Sequence, residues 1–320
     1  MSLNSCKSCE KKAKDKKLNI VFGPIQSRRF GLSLGIDLSP NKKQCNFDCV
    51  YCELKGARAI ERFDDIVDLE TLINATKTAL ESHKNINVLT ITANGEPTLY
   101  PHLEDFIKAI KPHLPQNTKS LILSNGSRFG EKSTQNALRH FDIVKFSLDS
   151  ALQKTYKKID RIHKNLSLDS IQEGIKSYAK IRSNLLICEV LLVKNINDNE
   201  ESMKPLADFL REIGVDRVDL GTIDRPPAYK VEAVSLEQIS SISKLFYNLC
   251  VSIPQRKQSN ADSTQDLSKE EILALLKRRP LEISEAKKTL SPRTIEILEE
   301  LLESQVIIKS VGLVDFYTLK

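Results

Sequence analysis

The sequence predicts an α/β protein: a partial (β/α)6, TIM-like barrel with a second, smaller domain at its C-terminal end. Three observations predict it. Strand-like and helix-like runs alternate six times between Leu34 and Cys250, the order of a parallel sheet with helices outside it. The repeat stops at six units, short of the eight that close a full barrel. Short polar motifs follow the strands in turn, where parallel α/β barrels keep their working groups.

Phe22–Gly31 is punctuated by glycine and proline and reads as a loop entering the first strand, Leu34–Leu38. Asp68 caps a helix that sets Leu69, Leu72, Ile73, Ala79 and Leu80 on one face. Ile86–Thr92 is the second strand. Pro101 then opens a helix with Leu103, Phe106, Ile107 and Ile110 at helical spacing, a position proline suits. Lys119–Leu123 is a strand, Ser133–Arg139 a short helix, and Ile143–Leu148 the fourth strand. The next helix carries Ile171, Ile175, Tyr178 and Ile181. Leu185–Val193 is a continuous apolar run, right for a buried parallel strand. A helix with Met203, Leu206, Phe209, Leu210 and Ile213 stops at Gly214, a C-terminal glycine. Val215–Gly221 is the sixth strand, and Ser235–Cys250 reads as a closing helix.

These runs place a core domain at residues 18–251. Residues 252–266 are rich in Ser, Gln, Asn, Asp and Lys with no apolar period, which marks a linker. In residues 267–320, Ser268 caps a helix bearing Ile272, Leu273, Leu275 and Leu276; Ile283–Leu290 is a second helix. Pro292 opens a third with Ile295, Leu298, Leu301 and Leu302. Val306–Ile308 and Leu313–Leu319 read as a hairpin turning near Gly312. Three helices and a hairpin resemble a winged helix-turn-helix domain.

At 320 residues, 40% hydrophobic and 28% charged, the composition is that of a globular protein. The start lacks the apolar centre of a secretory signal, and no stretch approaches the roughly 20 apolar residues of a spanning helix. Seven cysteines, three of them clustered, argue for a reducing compartment, so the expected location is cytoplasmic, away from membranes. The net charge of +6 is concentrated in residues 1–17, where six lysines face Glu10 and Asp15. Such a basic tail is ordinarily a solvated, disordered end.

The chemistry starts at Cys45, Cys49 and Cys52, spaced C-x3-C-x2-C with Tyr51 just before the last. Three thiolates this close select a soft metal: an iron–sulfur cluster, zinc or copper(I). A structural zinc takes four ligands, and the next histidine is His83. A four-iron cluster held by three cysteines keeps one iron open. Cys6 and Cys9 form half of a second metal site at most.

This motif resembles that of the radical S-adenosylmethionine (SAM) superfamily. The resemblance implies that Cys45, Cys49 and Cys52 hold three irons of a 4Fe-4S cluster, with Tyr51 in the SAM-binding loop. It further implies that the open iron binds SAM, whose reductive cleavage yields a 5′-deoxyadenosyl radical. It supports the partial (β/α)6 barrel, and it assigns the strand-end motifs. Gly95, Glu96 and Pro97 match the family's Gly-Glu-Pro motif, which accepts hydrogen bonds from the SAM amino group. Ser124 and Asn125, at the third strand end, face the SAM ribose or carboxylate, with Ser147 and Asp149 in a similar place. The Gly-Pro-x-x-Ser-Arg-Arg segment and the Ser-Asn-Gly and Ser-Leu-Asp motifs resemble a subgroup that includes relatives of wyosine synthetases.

Substrate contacts are expected from Arg28, Arg29, Lys194, Asp224 and Arg225. The arginines carry forked donors suited to carboxylate or phosphate. The expected function is a radical SAM enzyme supplied with electrons by a flavodoxin- or ferredoxin-type donor. Its substrate class is open among RNA (a tRNA base included), peptides and metabolites. The alternative is a regulatory protein that senses through its cluster. DNA reading is disfavoured: Pro292–Ser304 has one arginine against four glutamates, and residues 267–320 balance nine basic against nine acidic side chains.

Overall fold

The computed structural model describes residues 19–27, 29–253, 266–302, 304–311 and 314–320. One sheet of eight strands organises the larger part: β1 (Val21–Ser27), β2 (Gly31–Asp37), β3 (Val88–Thr92), β4 (Lys119–Ser124), β5 (Ile143–Ser147), β6 (Leu185–Leu192), β7 (Arg217–Thr222) and β8 (Val251–Ser252). They lie side by side in chain order. β1 is antiparallel to β2, and every later pairing is parallel. The six expected strands are β2 to β7. No bridge joins β8 to β1 among the described residues, so the sheet is open rather than a closed barrel.

The helices are α1 (Leu69–Ser82), α2 (Leu103–Ile110), α3 (Lys132–Leu138), α4 (Gln153–Asp160), α5 (Leu168–Ile181), α6 (Glu200–Ile213) and α7 (Leu236–Ser243). Alternation along each strand sends one set of residues to the helices. Leu34, Ile36, Ile91, Phe146, Val190 and Leu220 pack there against Leu72, Phe106, Ile175 and Leu206 in one large core. Each such side chain stabilises the fold by about 1.5–3 kcal/mol when fully buried. The opposite face carries Val88, Leu121, Ile143 and Ile187, with Phe30 packed on them. The sheet curls far enough for Arg29, in the β1–β2 turn, to sit 3.3 Å from Asp219 on β7.

Capping follows the sequence signals. Asp68 accepts from the Thr71 amide, and Gly214 ends α6 at φ +64°. Four expectations need correction. Phe22–Gly31 is largely a strand and not an entering loop; the edge position of β1 tolerates Pro24, and its register shifts between Phe22 and Ile25. α2 starts at Leu103, with Pro101 in the preceding turn. The closing helix breaks early into a 3-10 turn, Lys244–Phe246, because the chain must turn into β8. Ser252 therefore belongs to the sheet and not to a linker; residues 254–265 lie outside the described residues, as do residues 1–18 with Cys6 and Cys9. α4 was not expected at all: it turns Lys154, Lys157 and Lys158 away from the core and buries only Tyr156, Ile159 and Asp160.

The C-terminal unit contains α8 (Lys269–Arg278), β9 (Leu281–Glu282), α9 (Ile283–Thr289), α10 (Pro292–Leu301), β10 (Val306–Val311) and β11 (Val314–Leu319). The three helices and the hairpin are present in the expected order, and β9 adds a third antiparallel strand beside β11. The expected turn at Gly312 lies outside the described residues. Ile272, Leu276, Leu298, Leu301, Val306 and Tyr317 form a core of its own. No described helix is long and apolar enough to cross a membrane.

Candidate cofactor site and cleft

The cysteine loop leaves β2 and is sewn to the loop after β3. The Leu38 amide donates to Thr92 O (2.9 Å), the Gln44 amide to Asn94 O (2.7 Å), and the Glu96 amide to Gln44 O (3.0 Å). Gln44 and Gly95 form an isolated bridge. At Gly95, φ is +142°, and a Cβ there would lie 1.7 Å from the Gln44 carbonyl oxygen. Only glycine lets the two loops meet. On the other side, the Asp48 amide donates to Asp160 O (3.1 Å) and the Val50 amide to Ile159 O (2.8 Å), so the end of α4 holds the loop as well.

Glu96 is 1% exposed. Its Oε1 accepts from the Thr98 amide (3.0 Å), Thr98 Oγ1 (2.6 Å) and Ser124 Oγ (2.7 Å), and its Oε2 from the Asn125 amide (2.6 Å). The carboxylate thus ties the ends of β3 and β4 together, and the faces of this motif left for a ligand belong to the backbone. Pro97 starts the buried turn that follows. Asn125 Nδ2 donates to Asn46 Oδ1 (2.7 Å) and lies 3.9 Å from Cys45 Sγ.

Tyr51 donates to Asp149 Oδ2 (2.5 Å), while Asp149 Oδ1 accepts from the Leu191 amide (2.7 Å). Cys49 Sγ is 3.4 Å from Asp160 Oδ1. Burial pushes the Asp149 carboxyl up to about 7 and Asp160 well above the usual carboxylate range. Burial, and then the Glu96 charge, push the Cys45 thiol up to about 12. Burial likewise raises Cys49 and Cys52. A soft metal binds the deprotonated form, so cluster loading releases these protons. Lys43, bonded to Asp48 Oδ1 at 2.9 Å, supplies positive charge near Cys52. Ser147 ends β5, opposite Glu189 in register.

The three cysteines are free thiols on one half-buried loop. Among the described residues no three His, Cys, Asp or Glu side chains converge as a single ion requires. A four-iron cube takes each thiolate at a different corner, so three soft thiol donors, none in a disulfide, on one tethered loop fit it by their chemistry.

A cleft of about 360 Å³ opens beside them, lined by Tyr51, Cys52, Asn94, Glu189, Ile223 and Arg225 from the large part and by Leu275 and Arg279 from the C-terminal unit. Of the expected substrate residues, Asp224 and Arg225 line it. Arg29 does not; it is half-buried and paired with Asp219 and Glu189. Lys194 is exposed and paired with Glu232 (2.7 Å), away from the cleft. Arg28 lies outside the described residues. The structure adds Asp160, Lys43, Glu189 and Arg279. Asp160 ends α4 and Arg279 follows α8, and neither stands in a motif.

The radical SAM superfamily model matches residues 43–210, more than half of the chain. The chain belongs to the radical SAM superfamily. Members of that superfamily are enzymes, and their cofactors are a 4Fe-4S cluster and SAM. A UPF0026 protein of Helicobacter pylori strain J99 is 49% identical over 302 residues, covering 94% of this chain and 97% of that protein. The Streptococcus suis protein SuiB bound to S-adenosylmethionine has a similar fold (TM-score 0.51, 17% identity over 66% of this chain); this radical SAM chain spans about half of its length, 48%. The structure of TYW1 with a lysine-pyruvate adduct bound is likewise similar (TM-score 0.50, 17% identity, covering 68% of this chain and 74% of that one). None of these similarities supports the regulatory alternative.

Proposed function

We propose that this chain is a radical SAM enzyme that generates a 5′-deoxyadenosyl radical and abstracts a hydrogen from a substrate held in the cleft. Cys45, Cys49 and Cys52 would hold the cluster, which when bound supplies the electron that splits SAM. The Gln44–Gly95 bridge and the Glu96 ties keep the cysteine loop and the Gly-Glu-Pro turn in one rigid block, so a ligand meets preorganised backbone groups. Tyr51, Ser124, Asn125, Ser147 and Asp149 frame the SAM side of the block. A flavodoxin- or ferredoxin-type protein is the proposed electron donor, and RNA remains among the substrate classes. The C-terminal unit, which we assign a winged-helix-like fold, contributes to the wall of the cleft. One observation carries the reading: three free thiols on a loop locked to a Gly-Glu-Pro turn at the edge of a cleft.

The test is anaerobic reconstitution with iron and sulfide, followed by SAM and dithionite. The expected result is a brown protein that releases 5′-deoxyadenosine, and Cys49→Ala should reduce that product to background. Intact SAM with a fully loaded cluster would overturn the proposal.

A further inference from the structure

Two guanidinium groups from different parts of the chain meet at the cleft. Arg225 follows β7, and Arg279 is the residue just after α8; both line the cleft with Cys52 and Glu53. Arg225 donates to Glu53 Oε1 at 2.9 Å, and Arg279 donates to Glu285 Oε1 at 2.8 Å. These are single anchors on groups that each carry five N–H donors. Arg279 Nε is buried without a hydrogen-bond partner among the described residues. Burial and then the Arg225 charge push the Arg279 guanidinium down, which places the two like charges within each other's field. A buried donor left unpaired costs about 1–3 kcal/mol, and native proteins retain such groups where something else completes them.

We infer that Arg225 and Arg279 form an oxyanion subsite, which anchors a phosphate or carboxylate group of the substrate at the cleft. This rests on the radical SAM reading for its meaning, and it names the substrate's chemistry: a molecule with an anionic oxygen group remote from the reacting C–H bond. Glu53 and Glu285 each accept one bond from their fork, and Asp224 adds negative charge beside Arg225, while Arg279 Nε has no hydrogen-bond partner among the described residues. Paired planar forks are the arrangement that matches a carboxylate or phosphate at two points. The site is complete only when α8 lies over the cleft, so the C-terminal unit is a specificity element rather than an appendage.

The experiment measures binding of radiolabelled pyrophosphate to the full-length anaerobic protein by equilibrium dialysis at constant ionic strength, with malonate as competitor. Wild type should bind pyrophosphate. Arg225→Gln and Arg279→Gln should each weaken binding at least about tenfold, the loss of one charge-assisted bond. Arg293→Gln, an exposed charge removed from the same unit, should not change it. Glu285→Gln keeps Arg279 and removes its competing acid, so it should tighten binding; a purely structural clasp would predict no gain. Displacement by malonate assigns a carboxylate ligand, and its failure assigns a phosphate. No pyrophosphate binding by wild type, unchanged binding in either arginine variant, or no gain in Glu285→Gln overturns the inference. Cluster colour and 5′-deoxyadenosine release, measured on the same wild-type sample, separate the two readings. A protein that cleaves SAM but holds no anion sinks only the subsite, and one that holds the anion without cleaving SAM sinks only the proposed function.

Discussion

A methyl group at position 95 has no space, because the Gln44 carbonyl lies where its carbon would go. Gly95→Ala should therefore cost about 1–3 kcal/mol in backbone strain and push the cysteine loop off its bridge. Iron content per chain and thermal midpoint should fall together. Glu96 makes the complementary point. Its four accepted bonds use both oxygens, so Glu96→Gln turns one acceptor into a donor facing an N–H or O–H group. The expected loss is about 1–3 kcal/mol by denaturant titration. The Gly-Glu-Pro motif was legible from the sequence, whereas the internal role of its carboxylate was not. Thr98 is near it in the chain, but Ser124 and Asn125 arrive only through the parallel pairing of β3 with β4.

The strands and most helices could be read from their periods, because each buries one face against a single neighbouring layer. α4 could not, since only one turn of it is apolar and its use is to hold the cysteine loop through Asp160 O and Ile159 O. β1 was hidden by Gly23 and Pro24, which mark turns in most contexts but are tolerated on a sheet edge. Asp142 shows how a strand start is fixed. Its Oδ2 accepts from the Ser120 amide and hydroxyl at 2.8 Å each, and its Oδ1 from Lys111 Nζ at 2.9 Å. Burial opposes its charge, yet the Ser120 and Lys111 bonds hold the carboxyl below the usual carboxylate range. A depressed folded pKa contributes stability that is full above the unfolded value, about 3.9, and fades as pH falls through the folded value. Asp142→Asn should thus lose about 1–2 kcal/mol at pH 7, and its stability should converge on that of wild type as the pH drops below about 4.

Across the whole molecule, the curled sheet is pinned from inside. Lys145 on β5 sits 2.6 Å from Glu189 on β6 and 3.1 Å from Asp219 on β7, and Arg29 reaches the same two acids from the β1–β2 turn. Lys145 is 7% and Asp219 0% exposed in their side chains. Arg217 also pairs with Asp219, so Lys145→Met leaves both acids with an arginine partner. It should lower stability by about 1–3 kcal/mol, the worth of its hydrogen bonds to charged groups. Glu189 also lines the cleft, so the network couples the sheet's curl to the wall of the site. The adjacent arginine pair at Arg28 and Arg29 has the form of a ligand-binding fork; the pairing of Arg29 with Asp219 and Glu189 depends on the curl.

By itself the sequence determined the local things: the alternation of strand and helix, the caps at Asp68 and Gly214, and the trio of thiols with a Gly-Glu-Pro turn one strand later. These depend on neighbours within a few residues, and periodicity and spacing record them directly. Tertiary structure alone decided which charges face inward and which elements meet. Arg29 went to Asp219 and Glu189 and Lys194 to solvent, Asp160 came to stand behind Cys49, and Arg279 crossed from the C-terminal unit to join Arg225. Each of those outcomes follows from the curl of the sheet and the seat of α8, which bring together residues tens to hundreds of positions apart and leave no repeating mark in the chain.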